Sequence, residues 1–178
     1  MFGFKETDVN IYLVDDDVLL LKILDNKFKK TTQYNVLPFR SGEDFLHYYI
    51  SNQVKKNQIQ IVILDYNLST SDNNSKDGLE ILKYIKEISQ DVHVIILSGF
   101  VSQAVSDKMK KLGAEVCIKK NENSYIRIQN TIKWIISERV IKEKKKQSRL
   151  TLAIFLTVLF IIVIIGVLNF LKILSFSS

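Results

Sequence analysis

Five short apolar runs, each followed by a longer run with helical spacing, constrain this chain more than any other feature. The runs are VNIYLV (9–14), YNVLPF (34–39), IQIVIL (59–64), VHVIIL (92–97) and AEVCIK (114–119). They are rich in Val, Ile, Leu and aromatic residues, and three are almost continuously apolar. Parallel strands covered on both faces read this way. Between them, VLLLKILDNKFKK (18–30) places Leu20, Leu21, Leu24 and Phe28 on one helical face. GLEILKYIKEIS (78–89) does the same with Leu79, Leu82, Ile85 and Ile88. SGEDFLHYYISNQV (41–54), SQAVSDKMKKLG (102–113) and the stretch from Ser124 complete the series. Five strands alternating with five helices predict a doubly wound α/β sheet.

Sheets of that kind bind ligands in the crevice at the carboxyl ends of their strands. Asp15, Asp16 and Asp17 follow the first strand, Asp65 the third, Ser98 the fourth, and Lys119 and Lys120 the fifth. Three adjacent carboxylates repel one another, and burial makes this worse unless a cation or hydrogen-bond donors compensate. An Asp before an apolar-periodic helix is also a favoured N-cap, so the run has a purely structural explanation. The convergence of carboxylates, a hydroxyl and an ammonium from four strands favours a site. Three carboxylates form a hard oxygen site suited to Mg²⁺. A hydroxyl and a Lys nearby would contact phosphoryl oxygens, and an Asp carboxylate can accept a phosphoryl group as an aspartyl phosphate.

The motifs LVDDD, ILDYNL, DGLEIL, LSG and GAEVCIKK, in that order, resemble the receiver domain of two-component response regulators over about residues 8–138. The resemblance implies a flavodoxin-like five-stranded parallel sheet of order 2-1-3-4-5. It implies Asp15 and Asp16 as an acidic pair for Mg²⁺, Asp65 as phosphoacceptor and metal ligand, and Asn67 as a metal ligand through its backbone carbonyl. Ser98 becomes the switch hydroxyl, and the spacing from the Gly of the GA pair selects Lys120 over Lys119. Asp17 then reverts to capping the first helix. A sensor histidine kinase or phosphotransfer protein would supply the phosphoryl group. With no effector domain, output would pass through a protein partner, and a homodimer could form through the face of helix 4, strand 5 and helix 5. The chain would be a signalling switch and not a dedicated enzyme.

Three departures stand beside the matches. DYNLSTSDNNSKDG (65–78) is about five residues longer than usual and lacks the family's proline. Asn121 stands where a proline usually follows the lysine, and Cys117 where a switch aromatic usually stands. Cys117 reads as a small core residue. These departures support an alternative, a degenerate receiver that docks partners without being phosphorylated. A Mg²⁺-dependent phosphatase would want a second Asp at position 67, which is Asn67. His47 and His93, with no nearby carboxylate pattern, read as half-buried fillers.

The formal charge of +6 suggests nucleic acid until it is located. RVIKEKKKQSR (139–149) sets six basic residues against one acid, and LTLAIFLTVLFIIVIIGVLNFL (150–171) follows without a charge. Twenty-two helical residues span roughly 33 Å, enough for a hydrocarbon core of about 30 Å. The expected organisation is a receiver domain (1–138), a basic juxtamembrane segment (139–149), a transmembrane helix (150–171) and a short tail (172–178). MFGFKETDVN has no apolar core of signal-peptide length, so the span is expected to act as a tail anchor. Basic residues on its upstream flank place the receiver in the cytoplasm, at the inner membrane, with lipid and not nucleic acid as the partner of the basic run. A single cysteine excludes an internal disulfide.

Overall fold

The computed structural model describes residues 5–52, 58–68, 78–100 and 102–176, with side chains omitted at 163 and from 167 onward. After a single 3-10 turn (Glu6–Asp8), strands and helices alternate. They are β1 (Val9–Val14), α1 (Val18–Thr31), β2 (Asn35–Phe39), α2 (Gly42–Ser51), β3 (Ile59–Asp65), α3 (Gly78–Ile88), β4 (His93–Ser98), α4 (Gln103–Lys111), β5 (Ala114–Lys119) and α5 (Ser124–Phe176). The strands form one parallel sheet of order β2-β1-β3-β4-β5, the arrangement expected from the sequence. The chain divides into two compact units, residues 1–136 and 137–178.

Strand periodicity explains the continuous apolar runs. Successive side chains leave opposite faces of a strand. Val9, Ile11 and Leu13 of β1, with Ile61 and Ile63 of β3, therefore pack under α1 and α5 against Leu24, Phe28, Ile128 and Ile132. Tyr12 and Val14, with Val62 and Leu64, pack on the other face against Phe45, Ile81, Leu82 and Ile85 of α2 and α3. Both faces are dry, so polar residues in the strands need partners. Tyr12 Oη donates to Gln60 Oε1 (2.6 Å) and Asn35 Nδ2 to Asn10 Oδ1 (2.9 Å). Pro38 lies in β2, the edge strand, where a missing N–H costs least.

α3 presents a different stripe from the expected one. Gly78, Ile81, Leu82 and Ile85 are buried, Leu79 is partly buried, and Ile88 is 45 % exposed. A series spaced only by three drifts off its face, since nine residues at about 100° each rotate the last position roughly 180° from the first. The long polar stretch after Asp65 and the Asp77 of the DG pair fall on 69–77, outside the described residues.

Candidate functional site

The strand ends carry the site because backbone hydrogen bonds hold each chain to its neighbour as it leaves the sheet. The Asp15 N–H donates to Phe39 O (3.2 Å), and the Tyr66 N–H, just past β3, donates to Leu97 O of β4 (2.7 Å). The Lys120 N–H donates to Ser98 O (2.8 Å). Asp65 and Ser98 are the last residues of β3 and β4, one position inside the strands where the sequence placed them beyond. Asp17 caps α1, its Oδ1 accepting the Leu19 and Leu20 N–H groups at 2.9 and 3.0 Å.

Asp15 and Asp65 are each 3 % exposed and repeat one arrangement. In both, Oδ1 accepts the backbone N–H two residues on, from Asp17 at 2.9 Å and from Asn67 at 3.2 Å. In both, Oδ2 faces the Lys120 ammonium, at 2.7 Å for Asp15 and 2.8 Å for Asp65. Lys120 thus bridges two buried carboxylates from different strands, while Lys119 is exposed. Burial, the largest influence, pushes the Asp15 carboxyl above the usual carboxylate range, and the charge of Asp65 adds to this against the opposing pull of Lys120 and the Asp17 N–H. Burial by itself would lower the Lys120 ammonium, but its contacts with Asp15 and Asp65 outweigh that and raise it.

Carboxylate oxygens of Asp15, Asp16 and Asp65 lie within 4.8 Å of one another. Two of these carboxylates, Asp15 and Asp65, share the one Lys120 ammonium. Asp15 Oδ2 is buried and has the Lys120 ammonium, at 2.7 Å, as its one partner among the described residues, which leaves it acceptor capacity to spare. An under-satisfied acceptor among hard oxygen donors suits a divalent cation such as Mg²⁺.

Ser98 is 1 % exposed and its Oγ donates to Phe100 O at 2.7 Å, while the Phe100 side chain is largely in solvent. Cys117 is buried beside Ala114 and Met109. Burial pushes its thiol pKa up, with Arg127 opposing, so it remains a protonated apolar side chain. His93 departs from its reading as a filler without a carboxylate. Its Nδ1 lies 2.7 Å from Glu115 Oε1, because the β4–β5 register brings two sequence-distant residues together. That pair sits at the opposite end of the strands from the site.

In the sequence Gly78 is only one letter of the DGLEIL motif, whereas the structure gives it a steric role. A Cβ there would overlap Asp65 O and lie 2.9 Å from Tyr66 Cα and Tyr66 O. Only a residue without a side chain lets α3 begin this close to the end of β3. Gly78→Ala is expected to destabilise the chain by about 1–3 kcal/mol through overpacking and to move the Asp65 backbone. Urea denaturation checks this, and an unchanged midpoint would show that the backbone has room to spare.

Known proteins share this fold. The sequence model of the response regulator receiver domain matches residues 11–132. A response regulator receiver domain from Clostridium thermocellum superposes with a TM-score of 0.63 at 23 % identity, covering 75 % of this chain and 98 % of that one. The response regulator TrrA from Thermotoga maritima, in complex with Mg²⁺ and beryllium fluoride, gives 0.58 at 22 %, covering 71 % and 97 %. The beryllium-fluoride-activated DrrB receiver domain gives 0.55 at 28 %, covering 70 % and 97 %. No curated protein matches the chain.

Proposed function

Because this chain belongs to the response regulator receiver domain family, we propose that it is a membrane-anchored phosphorylation switch with Asp65 as its acceptor. The observation that carries this reading is the Lys120 ammonium bridging the Asp15 and Asp65 carboxylates at 2.7 and 2.8 Å. A receiver needs such a constellation, and a purely structural helix cap does not.

Asp15, Asp16 and Asp65, with the backbone carbonyl of Asn67, would hold Mg²⁺. The ion, when bound, supplies positive charge to the phosphoryl oxygens. The Asp65 carboxylate attacks phosphorus. Its new O–P bond replaces the bond to the donor, a sensor histidine kinase or phosphotransfer protein, and the leaving group departs with that bond's electrons. Lys120 holds Asp65 in place beforehand and meets the added negative charge afterwards. The Ser98 hydroxyl would leave Phe100 O and donate to a phosphoryl oxygen, which shifts the loop that follows β4. That rearrangement changes the populations of two states at the surface of α4, β5 and α5, where a protein partner, or a second copy, would read it. Cys117 in place of an aromatic favours one other reading, a receiver that docks partners without phosphorylation.

The proposed organisation is a receiver over 1–138, a basic segment over 139–149, a span over 150–171 and a tail over 172–178. One described helix is long and apolar enough to cross a membrane, and its apolar stretch is not buried in the protein. With the basic flank, this supports a receiver on the cytoplasmic face. The test is labelling of the full chain by a small acyl phosphate with and without Mg²⁺. One acid-stable, base-labile phosphoryl group per chain is expected with Mg²⁺. Absence of label in folded protein would leave the docking reading in its place.

A further inference from the structure

One donor of the Mg²⁺ site is a backbone atom, which no rotamer can aim. The Asn67 carbonyl belongs to the peptide unit shared with Leu68, and that unit is planar. Its direction is therefore set by how the chain holds Asn67 on one side and Leu68 on the other. On the Asn67 side the hold is light. The Asn67 side chain is exposed, and its N–H reaches Asp65 Oδ1 at 3.2 Å, the long end of the N–H···O range. One residue earlier the backbone is firmer, with the Tyr66 N–H on Leu97 O at 2.7 Å and Tyr66 O close against Gly78.

On the Leu68 side the hold is a buried side chain. Leu68 is 8 % exposed and belongs to the core cluster with Phe45, Ile81 and Leu82. Gly42, the first residue of α2, leaves room for it and for Ile81. A Cβ on Gly42 would overlap Ile81 Cδ1 and lie 3.6 Å from Leu68 Cδ1. Leu68 is thus seated between α2 and α3. The nine residues after it, STSDNNSKD, carry neither an apolar side chain nor a proline. No later residue before α3 can therefore anchor the backbone by burial or restrain it with a ring. A leucine needed for stability alone could stand anywhere in this core. This one stands on the peptide whose oxygen is the backbone donor.

We propose that Leu68 is a positioning residue for the divalent cation, its burial between Gly42 and Ile81 orienting the Asn67 carbonyl. This role rests on the Mg²⁺ site described above and names the side chain that sets its geometry. It also makes the choice of cation sensitive to Leu68. Mg²⁺ demands near-octahedral ligands at about 2.0–2.1 Å, whereas Ca²⁺ accepts a variable shell at about 2.3–2.6 Å. A misdirected carbonyl penalises the smaller ion more.

The test is calorimetric titration of the full chain, in detergent micelles, with Mg²⁺ and with Ca²⁺. Leu68→Ala is expected to weaken Mg²⁺ binding about tenfold, as loss of a group that orients a ligand does, and Ca²⁺ binding by no more than about threefold, given its looser geometry. Leu68→Met, which conserves volume, is expected to keep both affinities. Val92→Ala, which truncates the same core at the opposite end of the sheet, is expected to leave both unchanged. Circular dichroism establishes that each variant is folded, and Leu68→Val, with a smaller loss expected, serves if the alanine variant is not. Unchanged Mg²⁺ affinity in the folded Leu68 variants overturns the positioning role and leaves the cation site intact. Equal loss of Mg²⁺ and Ca²⁺, or an equal loss in Val92→Ala, also overturns it, since general loosening of the core then suffices. A wild-type chain that binds no Mg²⁺ overturns the site beneath it.

Discussion

Asp65→Asn is expected to reduce Mg²⁺-dependent labelling by a small acyl phosphate to background. The substitution keeps the shape of the side chain and removes the carboxylate that would form the acyl–phosphate bond. The fold should survive it. Asp65 is 3 % exposed and faces the Asp15 carboxylate across Lys120, so removing one negative charge relieves repulsion while Lys120 retains Asp15. The amide oxygen can still accept from Lys120 or from the Asn67 N–H, which lies 3.2 Å from Oδ1, but not from both. One donor is left short, at a cost of about 1–3 kcal/mol that the lost repulsion partly offsets. Thermal unfolding in Mg²⁺ and in chelator supplies the second readout. One carboxylate of three is lost from the cluster, so the stabilisation by Mg²⁺ should shrink. Full labelling of the variant would show that another side chain is the acceptor.

Lys120→Ala is expected to have the largest effect on stability, about 3 kcal/mol in chelator at neutral pH. Removing one member of a buried pair costs about 3–5 kcal/mol because the remaining charge is uncompensated. The low end applies because the Lys120 side chain is 26 % exposed. The pH dependence follows from Asp15. Its carboxyl is already pushed up, chiefly by burial, and losing the ammonium raises it further. A carboxyl whose folded pKa exceeds its unfolded one binds more protons in the folded state between the two values. Stability then falls as pH rises through that window. The deficit of the variant should therefore be smallest in acid, where Asp15 is protonated, and grow toward neutrality. The raised pKa of Lys120 acts in the opposite register. The stability it contributes to the wild type is present below the ordinary lysine value and lost only as pH rises through the higher folded one. Mg²⁺ should restore more stability to the variant than to the wild type, since a divalent cation can take over the neutralising charge. A pH-independent deficit, or no Mg²⁺ rescue, would show that Lys120 acts by packing alone.

Much of the fold was legible because local chemistry and tertiary structure agree. The runs at 9–14 and 114–119 are the strands themselves, those at 34–39 and 59–64 differ by one residue at one end, and that at 92–97 is displaced by one residue from β4. Leu21, Leu24 and Phe28 lie on the buried face of α1 as their spacing required. The agreement failed on α3, where several apolar positions compete and only packing against the sheet selects Ile81 over Ile88. It failed again at His93, whose partner Glu115 is defined by strand register and not by proximity in the chain.

The site divides along the same line. Residue types and their order along the chain announce strand ends carrying carboxylates, a hydroxyl and an ammonium, because strand periodicity and apolar runs are local properties. Residue types alone offer Lys119 and Lys120 alike, and the family spacing selects Lys120; the structure holds Lys120 between the two carboxylates, its N–H on Ser98 O, and leaves Lys119 exposed. The need for glycine at 78 depends on how closely α3 approaches β3. Chain order names the groups that can do the chemistry. Register and close approach, which arise between distant segments, decide which of them touch.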